Sequence, residues 1–517
     1  MKILGEELIL FRDGQNRAGL VYPRCCHRGT TLYYGKVEPH GIRCCYHGWL
    51  FDTEGRCLEM PCEPNPTGAQ CRRVRQPWYP VQELYGLIWA YLGPPERKPL
   101  LLYWGAAWCP PCNQLKATLF NRADFIDRSR AFVTVNLDGD LPGAQQLGSR
   151  FKVRGYPTMV LVSPDGQELT RLPGEVDAPQ VLRLLQQGLA GGRPVKALLA
   201  DARAGKPLSG PEWRSLAFYG WDIDEDQLVP AAERPGLLAQ LSAACPKREP
   251  QAATRLLLKA LADSNDGKGI RPDDALRRRV TAVLDDAAAS RAQMDVLVNG
   301  AADIVRALAP AAGAQREALR RSADAALRRL QADASLSRAD RVNALASRVQ
   351  LARLDVSKDE HRPAMPAAMP AALVAEVKAQ AARDDREIRN AYERQAVITE
   401  DAWVLAEAGL WADSDALLKA NLARSHSPYY LMSQLAGNAR KLGRHDEALA
   451  WHAKAFEASV GPATRLQWGA GYLGALVELA PQEAHRIEAL AAQLFKEAGQ
   501  DPAAFHERSG RSLKRVG

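Results

Sequence analysis

The sequence predicts a multidomain protein: a small all-β domain, then an α/β domain, then an all-α helical-repeat tail. Three observations predict it. The chain has 517 residues, which at about 150 per domain makes roughly three domains. Seven of its ten cysteines lie between Cys25 and Cys71, two are Cys109 and Cys112, and Cys245 stands alone. Short β patterns and β–α alternation fill the first 192 residues, whereas from about 195 Ala, Leu, Arg and Asp recur at helical spacing.

Composition narrows the class. Hydrophobic residues at 46% and charged residues at 25% are ordinary globular values, so sizeable cores are expected and wholesale disorder is excluded. The net charge of +8 comes from scattered basic residues, with Arg277, Arg278 and Arg279 beside Asp273 and Asp274, which argues against dedicated nucleic-acid binding. The uncharged stretch Pro99–Leu115 is too short and too proline-rich to span a bilayer. Glu6 and Glu7 interrupt the start before an export signal's apolar core can form, so a cytoplasmic location is expected. Clustered cysteines in a long chain of a reducing compartment favour metal and redox chemistry over structural disulfides.

In order along the chain, Glu7-Leu8-Ile9-Leu10-Phe11 and Ala18-Gly19-Leu20-Val21-Tyr22 flank Asp13-Gly14 and read as a hairpin. Further strands are expected at Gly41–Cys44, Trp49–Phe51 and Gly86–Tyr91. The α/β domain alternates a strand at Leu100–Trp104, a helix after Cys109, a strand at Phe132–Val135, a helix near Gln145, a strand at Met159–Val162 and a helix at Val181–Leu189. In the tail, Gly409 and Gly443 lie 34 residues apart within similar segments, the tetratricopeptide period, and Asp446–Phe456 reads as the second helix of such a repeat. Arg362-Pro363-Ala364-Met365-Pro366 with Pro370 reads as a linker. The domains are expected at 1–95, 97–192 and 195–517, with repeats near 400–480.

Cys25-x-His27 and Cys44-x-x-His47, 16 residues apart, can bring two thiolates and two imidazoles together on paired loops. That set suits tetrahedral zinc, and equally a [2Fe-2S] cluster with both His on one iron; spacing alone leaves both open. The surrounding Cys25-Cys26-His27-Arg28-Gly29-Thr30 and Arg43-Cys44-Cys45-Tyr46-His47-Gly48-Trp49, continuing through Cys57–Pro64 to Gly86–Tyr91, resemble the Rieske domain of ring-hydroxylating oxygenases over residues 5–95. The resemblance implies that Cys25 and Cys44 hold one iron and His27 and His47 the other, with Cys26 and Cys45 outside the ligand set. Thr30 and Tyr46 stand where high-potential members carry a disulfide, so the low-potential type is implied. Cys57, Cys62 and Cys71 match no strong metal motif and read as buried thiols, and His40 as an exposed turn residue. Rieske oxygenases also hold a catalytic iron by two His and one carboxylate. Beyond residue 99 no such spacing occurs: His361 is isolated, and His445 and His452 fall on a repeat helix. Oxygenase activity is therefore not expected.

Trp108-Cys109-Pro110-Pro111-Cys112 follows an apolar strand and opens a helix, whose N-terminus favours a thiolate at Cys109. Cys109 is the expected nucleophile and Cys112 the resolving thiol, while Pro157 in Gly155-Tyr156-Pro157-Thr158 is the candidate cis-proline beside them. With these motifs residues 97–192 resemble thioredoxin-like thiol-disulfide oxidoreductases, whose exported bacterial relatives leave the cytoplasmic expectation open. Many thioredoxins carry a buried acid six residues before the first cysteine; Tyr103 stands there, so proton removal from Cys112 must use water or another group. Reduction of a thioredoxin-like disulfide by a low-potential Rieske cluster is uphill by about 5–6 kcal/mol per two electrons, so the two centres are treated as independent. The expected function is thiol-disulfide exchange on protein disulfide or dithiol clients, with an N-terminal [2Fe-2S] electron-transfer domain served by a reductase. The alternatives are a helical scaffold carrying relic redox modules, or the remnant of a Rieske oxygenase.

Overall fold

The computed structural model describes all residues except 4–5, 85, 93–97, 142, 175–176, 225, 265–269 and 356–368. Leu4 and Gly5, the Gly93-Pro94-Pro95 junction, His361 and the Arg362–Pro366 segment lie outside the described residues. The chain forms two compact units, Met1–Arg97 and Lys98–Gly517.

Among its described residues the first unit is all-β apart from two short helical segments, Leu32–Tyr34 and Ala69–Arg73. Its expected hairpin pairs Ile9–Arg12 with Ala18–Val21, and Trp78–Tyr79 adds a third strand. The buried Asp13 carboxylate holds the connection, accepting from the Gln15 and Arg17 amides and the Arg17 guanidinium. A four-stranded antiparallel meander follows, Lys36–Glu38, Gly41–Arg43, Leu50–Phe51 and Cys57–Glu59, and Val81–Leu84 pairs with Leu87–Ala90. Several of these strands span only two to four residues, too few for a period-2 pattern to stand out in sequence. Phe11, Val21, Leu32, Ile42, Phe51 and Met60 close the core, together with Cys25, Cys44, Cys57 and Cys71.

In the second unit a four-stranded sheet has the order Val133–Asp138, Leu100–Gly105, Thr158–Val162, Glu168–Leu172; the first pair is parallel and the others antiparallel. The central Leu-rich strand and Thr158–Val162 are buried almost throughout, which is why they read as unbroken apolar runs. The closing helix runs Ala178–Leu189, three residues earlier than the apolar pattern suggests, because the Asp177 carboxylate caps it by accepting the Gln180 amide. The helix Ala123–Ser129 and the edge strand Glu168–Leu172 were not anticipated. Everything after residue 195 is helical or loop among the described residues, up to the helix Glu507–Val516.

Gly409 and Gly443 occupy corresponding turns, both at positive φ, between the helix pairs Ala391–Glu407 with Trp411–Asn421 and Pro428–Lys441 with His445–Ala458. The 34-residue spacing is thus a repeated helix–turn–helix. Polar ties join the two repeats: the Asn438 amide donates to Ser414 and Asp415, and Arg444 pairs with Asp415. Among the described residues no helix is long and apolar enough to cross a membrane.

Candidate functional site

The loops carrying Cys25 and Cys44 have matching backbone geometry. The Cys25 amide donates to the Thr30 carbonyl and Gly29 N–H to the Cys25 carbonyl; Cys44 bonds Trp49, and Gly48 bonds Cys44, in the same way. Gly29 and Gly48 sit at φ 73° and 74°, the left-handed region that lets each loop reverse within a turn. Each loop therefore tucks its leading cysteine inward, and both Cys25 and Cys44 are buried in the domain core. His27 and His47 stay half-buried at the loop tips with ring centroids 4.7 Å apart, and His27 stacks on Trp49 at 4.2 Å. Burial, then the neighbouring His47, lowers the His27 pKa and keeps the imidazole neutral, the form that ligates metal.

Two residues that sequence reasoning passed over hold these loops. The fully buried Gln76 accepts the Cys26 amide at 2.7 Å and donates to the Tyr22 and Arg24 carbonyls. Arg43 donates to the Gly48 carbonyl while paired with Glu38 and Glu59. Neither has a local motif, since their partners are remote or lie across strands. Cys26, Cys45 and Cys62 are exposed, and Cys57 and Cys71 are buried with sulfurs 3.4 Å apart. Among the described residues no three His, Cys, Asp or Glu side chains surround a single ion position. The donor set is instead a thiol pair and an imidazole pair, which fits a diiron cluster with one pair per iron.

In the second unit Cys109 and Cys112 are joined as a disulfide, with Cα atoms 5.2 Å apart. Cys109 is the N-cap of the helix Pro110–Thr118, and its sulfur accepts the Cys112 amide at 3.2 Å. Pro110 and Pro111 have no N–H, so the first turn offers the sulfur this one backbone donor. Asn113 ties the turn down, donating to the Ala107 and Cys109 carbonyls. The Tyr156–Pro157 peptide is cis, and Pro157 is buried. Tyr103 packs in the same core as the two cysteines; burial raises its pKa, and its hydroxyl has no hydrogen-bond partner.

The helical tail meets this site directly. Trp108 stacks on Tyr430 at 5.9 Å, meets Trp468 edge-on at 5.2 Å and donates its indole N–H to Thr464. The Arg508 guanidinium lies 5.3 Å over the Trp108 ring and pairs with Asp140 at 2.8 Å. Gln395 donates to the Trp108 carbonyl, and a ring nitrogen of His426 lies 3.0 Å from the Ala107 carbonyl. Cys109 is left 1% exposed and Cys112 0%. These partners are hundreds of residues from Trp108, and no sequence signal links them.

A profile of the Rieske [2Fe-2S] domain matches residues 1–80, and one of a thioredoxin-like domain matches residues 94–189. Phenoxybenzoate dioxygenase subunit alpha of Ectopseudomonas oleovorans is 64% identical over 101 residues, 20% of this chain and 24% of that protein. The oxygenase subunit of a tert-butanol monooxygenase / tert-amyl alcohol desaturase from Aquincola tertiaricarbonis is 46% identical over 99 residues, 19% and 21% of the two chains. The 5,5'-dehydrodivanillate O-demethylase oxygenase subunit of Sphingobium is 45% identical over 96 residues, 18% and 23%. The chain thus spans about a quarter of the length of these curated relatives. It carries a Rieske [2Fe-2S] domain, a thioredoxin-like domain and a large helical region.

Proposed function

We propose that this protein is an oxidoreductase whose exchange chemistry runs at Cys109 and Cys112, and which also carries an N-terminal domain whose cluster is held by Cys25, Cys44, His27 and His47. The domains of this reading are 1–95, 97–192 and 195–517. The observation that carries it is Cys109 at a helix N-cap, accepting the amide of the cysteine to which it is disulfide-bonded. In the reduced form the Cys109 thiolate, stabilised by that amide and the helix N-terminus, attacks a substrate disulfide and releases one thiolate, which takes up a proton. Cys112 then loses its proton and attacks the Cys109 sulfur, re-forming the internal disulfide and releasing the second thiol. The substrate gains two electrons and two protons, and an external dithiol reductant restores the pair.

When bound, a [2Fe-2S] cluster supplies one-electron transfer. The chain's contribution is to bury two thiols, to hold two imidazoles at the loop tips and to brace both loops through Gln76 and Arg43. An electron-donating reductase is the partner this domain calls for. The scaffold reading draws on the repeated helix–turn–helix of residues 391–458.

Single-cysteine variants test the exchange chemistry: Cys109→Ser is expected to abolish it and Cys112→Ser to trap mixed disulfides. If Cys112→Ser traps nothing, the exchange reading fails and the scaffold takes its place. About two irons and two labile sulfides per chain are expected; stoichiometric zinc without sulfide would refute the cluster.

A further inference from the structure

The disulfide is closed off by its own chain. Exchange at Cys109 requires a second sulfur to reach the Cys109 sulfur, and the adjoining Trp108 ring lies beside the Tyr156–Pro157 turn, 6.4 Å from the Tyr156 ring. In this structure the helices Pro428–Lys441, Pro462–Leu479 and Glu507–Val516 supply Tyr430, Thr464, Trp468 and Arg508 as contacts of Trp108.

The cover is built into the fold. Asp140, from the loop after the strand Val133–Asp138, caps the helix Pro462–Leu479: its carboxylate accepts the Thr464 amide at 2.7 Å and the Thr464 hydroxyl at 2.6 Å. The helix's own N-cap is Gly461, which offers no side chain, and a Cβ there would lie 2.6 Å from the Asp140 Cβ. The same carboxylate pairs with Arg508, both side chains being at most 15% exposed, and the Arg508 amide donates to the buried Gln145, which also donates to the Tyr156 hydroxyl. One set of polar groups thus ties two tail helices, Pro462–Leu479 and Glu507–Val516, to Trp108, to Asp140 and to the turn before Pro157, while Tyr430 adds a ring stack on Trp108.

We infer that this clamp sets the size of the disulfide that the site accepts, admitting low-molecular-weight disulfides and excluding those of folded proteins. The inference rests on the exchange reading above. A small disulfide needs side-chain movement beside Ala107 and Pro111, which are exposed on either flank of Cys109. A folded protein reaches a sulfur this buried only by displacing the tail, which breaks the Asp140–Arg508 pair, removes the Asp140 cap and unstacks Trp108.

The test uses the full-length protein in its reduced form and measures the second-order rate of its oxidation by 2-hydroxyethyl disulfide and by insulin, with acid quench and thiol counting. Wild type is expected to react readily with the small disulfide and slowly with insulin. Arg508→Gln and, separately, the milder Thr464→Val are expected to raise the insulin rate about tenfold, the equivalent of one charge-assisted hydrogen bond, while leaving the small-disulfide rate within about twofold. Circular dichroism confirms that each variant is folded, and Thr464→Val carries the test if Arg508→Gln is not. An insulin rate equal in wild type and folded variants overturns the clamp and leaves the exchange reading intact. A wild type inert toward both disulfides overturns the two together.

Discussion

At the scale of single residues, the two prolines between the cysteines decide how reactive Cys109 is. A helix N-terminus ordinarily offers its capping group the amides of its second and third residues, but here only the Cys112 amide is available, because Pro111 has none. Pro111→Ala restores one donor. It is expected to lower the Cys109 pKa by about one unit, the worth of one charge-assisted hydrogen bond, and to make the pair more oxidising. Thiolate absorbance against pH in the reduced protein reads this directly; an unchanged titration refutes it. The Cys-Pro-Pro-Cys motif was legible from sequence, since a capping cysteine and its helix are neighbours in the chain. The brace at Gln76 and the tail partners of Trp108 were not, because the residues in contact lie tens to hundreds of positions apart.

At the scale of elements, the helix Ala391–Glu407 combines structure and titration. It lies along the active-site helix Pro110–Thr118, with Lys116 over the Tyr392 ring at 5.4 Å and Gln395 on the Trp108 carbonyl. Glu400 on this helix is pushed by burial from its ordinary 4.5 up to about 7, and its charge helps raise Tyr430 to about 12, after burial. A carboxyl whose folded pKa is raised binds more protons folded than unfolded between pH 4.5 and 7. Stability is therefore lost as pH rises through that window, and the deficit is complete above it. Glu400→Gln is expected to be neutral below pH 4.5 and to stabilise by about 2 kcal/mol at pH 8, after discounting for partial exposure. Denaturant melts at the two pH values check this, and an equal effect at both contradicts it. The 3.6-residue pattern predicted that helices fill this region, but it could not show which helix would lie beside the dithiol.

At the scale of the whole molecule, Asp140 shows how the thioredoxin-like fold and the tail become one unit. Its carboxylate serves at once as N-cap for the helix Pro462–Leu479 and as counter-ion for Arg508. Asp140→Ala leaves a cationic group and a helix terminus without partners in a mostly buried setting, and is expected to cost about 3 kcal/mol or more. Asp140→Asn keeps a capping oxygen and should recover part of the loss. Chemical denaturation of the two variants measures both; a cost below about 1 kcal/mol for Asp140→Ala means the clamp is held by the aromatic contacts alone.

Sequence alone determined what depends on short-range order: the three-part fold class, the paired Cys/His loops, the Cys-Pro-Pro-Cys turn and the 34-residue helical period. Each is a pattern in which a residue's partners lie within a turn, a hairpin or one repeat, so spacing carries the information. Tertiary structure decided the near-complete burial of Cys109, the packing of the tail on Trp108, the Asp140 cap on a helix more than 300 residues away and the brace that Gln76 gives the first loop. These contacts arise from how apolar faces pack and which polar groups that packing leaves to be satisfied, and neither is encoded in the spacing of neighbours along the chain.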